Sequence, residues 1–305
     1  MSTGRLVITG VDGFVGRHLA RLAAADGLEV FGVARSAEIP ASLASSLAGY
    51  ASADLRTVWP AAIPTDAAVV HLAGLAAVGP SFDRPQEYID GNSAMVTRMC
   101  EALLDRGSAG RIVGVSTGAV YAQNDDEPAR SESDPVAYTS PYVVSKVLVE
   151  SQLAYYRRRG LDAVVARPFN HIGPGQGPGF LVPDLLAQLR ALSADEALKV
   201  GNLDTRRDYT DVRDVAGAYL ALATAPELRH GLYNVASGTA RSGRDVLDAL
   251  CASLSIATPD IEVDSSRIRA TDPAVIIGDA TRLREDTGWA PEIGFSTTIA
   301  DVVSN

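Results

Sequence analysis

The sequence predicts an α/β fold: a doubly wound parallel sheet with a smaller α+β region on its C-terminal side. Three observations carry that expectation. Short β-branched runs alternate with helical patterns through the first half of the chain. Those runs are apolar at consecutive positions, as strands covered on both faces must be. After "DAVVARP" the rhythm loosens into "GPGQGPGF", where four glycines and two prolines in eight residues require a loop.

Taken in order, "RLVITG" reads as the first strand, followed by a helix from about Phe14 to Ala25 and a second strand in "LEVFGVA". "AVVHLAG", a helix around Ala94 to Asp105, and "RIVGVST" continue the alternation. Pro is welcome in a helix's first turn, so Pro141 can open the run "YVVSKVLVESQLAYY" before the strand "DAVVARP". Beyond the glycine-rich loop, helical patterns cover about Val182 to Leu192, Val212 to Thr224 and Arg244 to Ser253, with a strand-like "LYNVAS" between two of them. Residues 1–168 and 206–236 are expected to form one unit, and 169–205 and 237–305 a second that closes over the sheet's carboxyl edge. There is no internal repeat or low-complexity tract.

Composition narrows the function classes. At 305 residues the chain can bury a large core, and 47% hydrophobic with 21% charged residues is globular, not disordered. A formal charge of -10 argues against nucleic acid or an anionic membrane as partner, although an anionic substrate is compatible with a local gathering of Arg. Cys100 and Cys251 are too few for a disulfide framework, lack metal-ligand spacing, and are expected as buried thiols in a reducing cytoplasm; no metal site is expected. The start of the chain has no basic leader with a long apolar segment, and no run reaches the ~20 apolar residues of a membrane span, so the expectation is a cytoplasmic protein.

"VITGVDGFVGRHLA" places Gly10, Gly13 and Gly16 between the first strand and first helix. A tight turn, a close backbone approach to a pyrophosphate and close helix packing each need a glycine there, and the helix N-terminus then faces the phosphates. A dinucleotide is expected. NAD binders place an acid near the end of the second strand, ~20 residues beyond the loop, whereas an Arg there accepts a 2′-phosphate. This chain has Arg35, which favours NADP over NAD, and Asp54 follows as a candidate adenine contact.

In "TSPYVVSK", Tyr142 and Lys146 sit at i and i+4 on one helix face. A Lys beside a phenol is expected to lower a pKa that is normally about 10, making the Tyr a proton donor or acceptor near neutrality. By spacing alone the pair also fits a half-buried Tyr beside a solvated Lys.

The glycine loop, "HLAG" at His71 to Gly74, Asn92 in "DGNSAMV", "VSTGAVY", the Tyr142 and Lys146 pair and "RPFN" at Arg167 to Asn170 occur in one order. With "RRDYTDVRDVAGAYL", "YNVAS" and "TGWAP", they resemble the extended short-chain dehydrogenase/reductase family of nucleotide-sugar epimerases, dehydratases and reductases over nearly the whole chain. "RPFNHIGPGQGPGF" and "VGNLDTRRDYTDV" are most similar to the GDP-4-keto-6-deoxymannose reductases within it.

The resemblance implies a Rossmann fold and reduction of the C4 ketone of a nucleotide-diphospho-4-keto-6-deoxyhexose, linked to GDP or deoxythymidine diphosphate. It makes Tyr142 the proton donor, Lys146 the residue that lowers its pKa and bonds the nicotinamide ribose, and Thr117, with Ser116 beside it, the partner of the carbonyl oxygen. Phe14, Val15, Leu55, Leu72, Ala73, Gly74, Asn92, Ser116 and Arg167 join the cofactor residues. Gly118, Asn170, Arg207 and either Arg267 or Arg269 join Thr117 on the substrate side. Gly118 and Ala119 stand where the family's dehydratases carry an acid, which argues against dehydration. His171 and Cys100 are the remaining candidates for an extra base in a 3,5-epimerisation. A 4-epimerase with tightly bound NAD and a catalytically silent dinucleotide-binding regulator remain as alternatives, and a homodimer through the helix carrying Tyr142 is expected.

Overall fold

The computed structural model describes residues 4–122, 129–193, 196–265 and 274–305. The first half contains β1 (Arg5–Thr9), α1 (Phe14–Ala25), β2 (Glu29–Ala34), β3 (Gly49–Ser52), β4 (Ala68–His71), α2 (Val78–Asp83), α3 (Pro85–Asp105) and β5 (Ile112–Val115). β6 (Ala129–Arg130), α4 (Pro141–Arg158), β7 (Ala163–Pro168), β8 (Asn170–Ile172), α5 (Leu181–Ala191), β9 (Leu198–Val200), β10 (Arg206–Asp211) and α6 (Val212–Thr224) follow. The chain continues through β11 (Leu232–Val235), β12 (Ala240–Ser242), α7 (Gly243–Leu254), β13 (Ile261–Val263), β14 (Val275–Gly278), α8 (Thr281–Thr287) and α9 (Phe295–Ser304).

Seven strands form one parallel sheet in the order β11-β7-β5-β4-β1-β2-β3. Successive strands run outward in one direction from β1 and in the other from β4, so the order reverses between these two neighbours. Crevices at such a reversal, outside the strands' carboxyl ends, are where open α/β sheets bind ligands. The alternation of strand side chains divides the core between the two faces. Leu6 and Ile8 of β1 pack with Leu19 and Ala23 of α1 and Tyr219 and Leu222 of α6. Val7 faces the other way, with Met99 and Leu103 of α3 and Leu153 of α4. Each fully buried Leu or Met of this kind contributes about 2 kcal/mol.

A second sheet runs β12-β10-β14-β6, with β8 also paired to β10, and β9 pairs with β13. β10, expected with the first unit, hydrogen-bonds instead to β8, β12 and β14. Helices α5, α7 and α9 cover a separate core there that includes Leu185, Leu189, Val246, Leu250 and Ile299. Among the described residues no helix is long and apolar enough to cross a membrane.

The helices expected at Phe14 to Ala25 and Val212 to Thr224 form with those bounds. α3 begins at Pro85 rather than near Ala94, because its first two turns bury Tyr88, Gly91 and Asn92, which carry no apolar periodicity. β3 escaped the sequence reading because "GYAS" is a half-buried edge strand without a β-branched residue. Cys100 and Cys251 are free and buried.

Candidate active site

The first part of the site is backbone. Gly10 leaves β1 with φ of +66°, and a Cβ on it would lie 3.0 Å from the amide nitrogen of Ala73, so the loops after β1 and β4 abut at the strand reversal. A Cβ on Gly16 would sit 2.3 Å from the Gly10 carbonyl oxygen, which is why α1 can start hard against the loop. Gly13 is the N-cap, no side chain caps this end, and the first turn contains no acid. The amides that open the helix, those of Phe14, Val15 and Gly16, therefore face outward with the positive end of the helix dipole, a cradle suited to a pyrophosphate.

From this cradle a cleft of about 300 Å³ opens over the ends of β1, β2 and β4. Gly10, Gly13, Arg35, Asp54, Leu55, Leu72, Ala73 and Gly74, all expected from sequence, line it. Asp12, Ser36, Arg56, Glu87 and Met95 line it as well and were not anticipated. Ser36 Oγ donates to Asp12 at 2.6 Å, and Arg56 grips Asp54 through Nε and Nη2, which holds the Asp54 carboxyl down at about 2. Arg35 lies exposed at the rim just past β2. The cleft and the open helix end fit a dinucleotide.

Thr9 Oγ1 fastens the reversal itself: it is hydrogen-bonded to His71 Nδ1 at 2.8 Å and accepts from the Ala73 amide at 3.1 Å. Burial pulls His71 down to about 3, so it is neutral.

The second part of the site is side chains. Ser140 caps α4 by accepting from the Val143 amide, Pro141 fills the first turn, and Tyr142 and Lys146 follow on the face turned toward β5. The Tyr142 ring is 7% exposed and packs beside Tyr88, Val120, Tyr121 and Phe169. Sequence reasoning expected Lys146 to pull the phenol's pKa down. In the structure burial dominates and pushes it up to about 12, with a hydrogen bond to Thr117 as the opposing influence. The lysine does not lower it because its ammonium lies 5.9 Å from the ring centroid and donates to the Val115 carbonyl at 2.9 Å. Burial brings Lys146 itself down to about 8, opposed by the charge of Glu150.

Thr117 closes β5 and caps the short 3-10 turn Gly118–Val120, accepting from the Ala119 amide at 3.2 Å. Ser116, next to it, points elsewhere and donates to Glu150. Gly118 is pressed against the Phe169 ring, and a Cβ there would lie 3.0 Å from three ring carbons.

Two residues expected at the cofactor stand one layer behind the cleft. Asn92 accepts from the Leu75 amide at 2.8 Å and donates to the Leu75 carbonyl and to Ser145 Oγ, so it ties the Gly74–Leu75 rim to α4. Arg167 forks onto Glu150 and lies 4.7 Å over the Tyr121 ring. On the substrate side, Asn170 is exposed at the start of β8, opposite Tyr209 of β10. Arg207, two residues before Tyr209, shares that sheet face and donates to the Arg206 carbonyl. Arg267 and Arg269 lie outside the described residues. His171 is half-buried, stacked on Phe14 at 5.9 Å, and Cys100 lies on the core-facing side of α3 with its thiol pushed up to about 12. Tyr88, Phe169 and Glu150 were missed; of these Glu150 had a signal, its four-residue step from Lys146.

Comparison with known proteins identifies the family. The chain is 33% identical to the GDP-6-deoxy-D-mannose reductase of Pseudomonas aeruginosa, across 99% of this chain and 97% of that protein. It is 29% identical to a UDP-glucose 4-epimerase of Streptomyces lividans, covering 98% and 95%. The structure of RMD from Pseudomonas aeruginosa complexed with NADPH superposes with a TM-score of 0.81 at 32% identity, covering 98% and 97%. The profile of the NAD dependent epimerase/dehydratase family matches residues 6–236, and the chain belongs to that family.

Proposed function

We propose that this protein reduces the C4 ketone of a nucleotide-diphospho-4-keto-6-deoxyhexose, with NADPH preferred over NADH. The observation that carries this reading is the end of β5: Thr117 is bonded to a buried Tyr142, and the next residue is a glycine packed under Phe169. Neither Gly118 nor Ala119, the residues that follow Thr117, can take a proton from the sugar, which favours carbonyl chemistry over loss of water. The full-length similarity to a GDP-6-deoxy-D-mannose reductase and to an NADPH complex supports the same choice.

When bound, NADPH supplies the hydride. Tyr142, a neutral phenol until strongly alkaline pH, keeps its proton available for the more basic alkoxide that develops on the sugar. Thr117 is placed to hydrogen-bond that same oxygen, and Lys146 presents a cation at the Gly74 side of the cleft, where its Nζ lies 3.7 Å from the position of a Cβ on Gly74. Phe14 and Val15 offer amides to the pyrophosphate, and Arg35 is the group for the 2′-phosphate. Asn170 and Arg207 are the diphosphate contacts on the sugar side, with Arg267 or Arg269 assigned there on sequence grounds. Two copies are expected to pair across α3 and α4.

The test is NADPH consumption with GDP-4-keto-6-deoxymannose and, separately, dTDP-4-keto-6-deoxyglucose, with UDP-glucose as control. Consumption with one keto sugar establishes the reductase and its nucleotide. No consumption with either, together with C4 epimerisation of UDP-glucose, overturns it in favour of an epimerase.

A further inference from the structure

A buried polar network lies behind the reacting pair, and the reaction as described leaves it without a role. Tyr142, Lys146 and Glu150 follow at four-residue steps along α4, so Glu150 lies one turn beyond Lys146 on the same face. Its side chain is 13% exposed, and donors hold the carboxylate from two strands. From β7, Arg167 Nε and Nη2 reach its two oxygens at 2.8 and 2.6 Å; from the end of β5, Ser116 Oγ donates to Oε1. Arg167 is itself pinned over Tyr121, whose hydroxyl donates to Asn234. A two-bond fork between guanidinium and carboxylate fixes orientation as well as distance, so this carboxylate is held in one orientation one helical turn from the lysine.

Lys146 needs such a neighbour. It is 8% exposed, and burial of an ammonium favours its neutral form. Among the described residues, the groups that face it from the surrounding elements supply no other negative charge. His71 on β4 is neutral, Tyr142 on α4 keeps its proton, Asn92 on α3 and Ser116 after β5 are uncharged, and Arg167 on β7 is a second cation. Glu150 is the group that works against the effect of burial.

We propose that Glu150 is a positioning residue: clamped by Arg167 and Ser116, its carboxylate is the counter-charge that keeps Lys146 an ammonium beside Gly74 at the edge of the cofactor cleft. The inference rests on the reading of Tyr142 and Lys146 as the reacting pair, and it names what sustains the lysine's charge.

The chain makes the test direct, because Lys146 and Lys199 are its two lysines. Lys199 is exposed on β9 and serves as an internal reference. Competitive labelling with acetic anhydride across neutral to alkaline pH, read by mass spectrometry, titrates each lysine without substrate or cofactor. Glu150→Gln removes the charge and keeps the shape; Lys146 should then titrate lower by about 0.5 pH unit or more, with Lys199 unmoved. Arg167→Gln removes the competing cation, and Lys146 should titrate higher. The opposite signs separate a charge effect from a loosened site, and either variant suffices if the other fails to fold. Unchanged Lys146 titration in a folded variant overturns the proposal. Once a keto-sugar substrate is in hand, the alkaline limb of NADPH turnover should move in the same directions. If the wild-type protein consumes no NADPH with any keto sugar, the reductase reading fails while the lysine titration still decides the role of Glu150.

Discussion

The two halves of the molecule build their sites from different materials. In the seven-stranded half, the cradle for the cofactor is largely backbone: the turn at Gly10, the open first turn of α1 after Gly13, and the abutment of the loops after β1 and β4. In the other half, the groups proposed for a substrate are side chains, Asn170 on β8 and Arg207 on β10, brought near one another by pairing across a separation of tens of residues. A backbone site tolerates many side chains and forbids a few. A side-chain site has the opposite property, so on the proposed function specificity for one sugar is assigned there. Tyr142 and Thr117 stand where the halves meet, with Phe169 and Ile276 of the second region packed among them and Tyr88.

That contrast can be broken most sharply at the meeting point. Tyr142→Phe should cut turnover by about two to four orders of magnitude. The dissociation constant for NADPH should stay near its wild-type value, because the cradle is built elsewhere. Both quantities come from steady-state turnover and a fluorescence titration of the same preparation, and a parallel loss of cofactor binding would mean that the two parts of the site are not separable.

Arg207→Gln probes the side-chain half. If Arg207 holds the substrate diphosphate, losing a hydrogen bond to a charged group costs about 1.5–3 kcal/mol, a KM increase of roughly ten- to a hundredfold. NADPH affinity should not change. A lowered kcat with KM intact would place the arginine nearer the reacting atoms than the diphosphate.

Gly118→Asp asks whether the missing acid can be restored. The ring of Phe169 occupies the space that a Cβ needs, so the variant should lose about 1–3 kcal/mol of stability, measured by urea unfolding, and should not gain dehydratase activity. A stable variant would show that Phe169 moves freely and that the packing does not bar the chemistry.

What the sequence revealed follows the same division. The strand and helix rhythm, the glycine spacing and the Tyr142 to Lys146 step are local patterns, and the large sheet, the glycine turn before α1 and the placement of Tyr142 and Lys146 on one helix face were legible from them. Residues whose role depends on long-range packing were not. Tyr88 reaches Tyr142 from α3, and Phe169 fills the space over Gly118; neither belongs to a local repeat. The pKa of Tyr142 was misjudged for a related reason, since spacing shows that a lysine is near but does not show how deeply the phenol is buried or that the lysine is bonded to Val115. Asn92 and Arg167 were recognised from motifs, but a motif does not show the bonds each makes within the protein, Asn92 to Leu75 and Arg167 to Glu150.

The smallest expected effect tests the one place where the backbone half relies on a side chain to choose its ligand. Arg35 stands exposed at the cleft's rim, while Arg56, the other cation lining the cleft there, is engaged by Asp54. Asp12, bonded to Ser36 beside them, contributes a negative charge that opposes a 2′-phosphate. The proposed preference for NADPH therefore depends on Arg35 outweighing Asp12 in a screened setting, and its contribution should be modest. Arg35→Ala should lower the ratio of NADPH to NADH affinity by about tenfold, equivalent to about 1.4 kcal/mol, mostly through weaker NADPH binding. Because Arg35 is exposed, the wild-type ratio should also fall with added salt, whereas NADH binding should be nearly indifferent to it. A ratio untouched by the substitution and by salt would move the source of any preference to Arg56, which would then have to leave Asp54 to meet the phosphate.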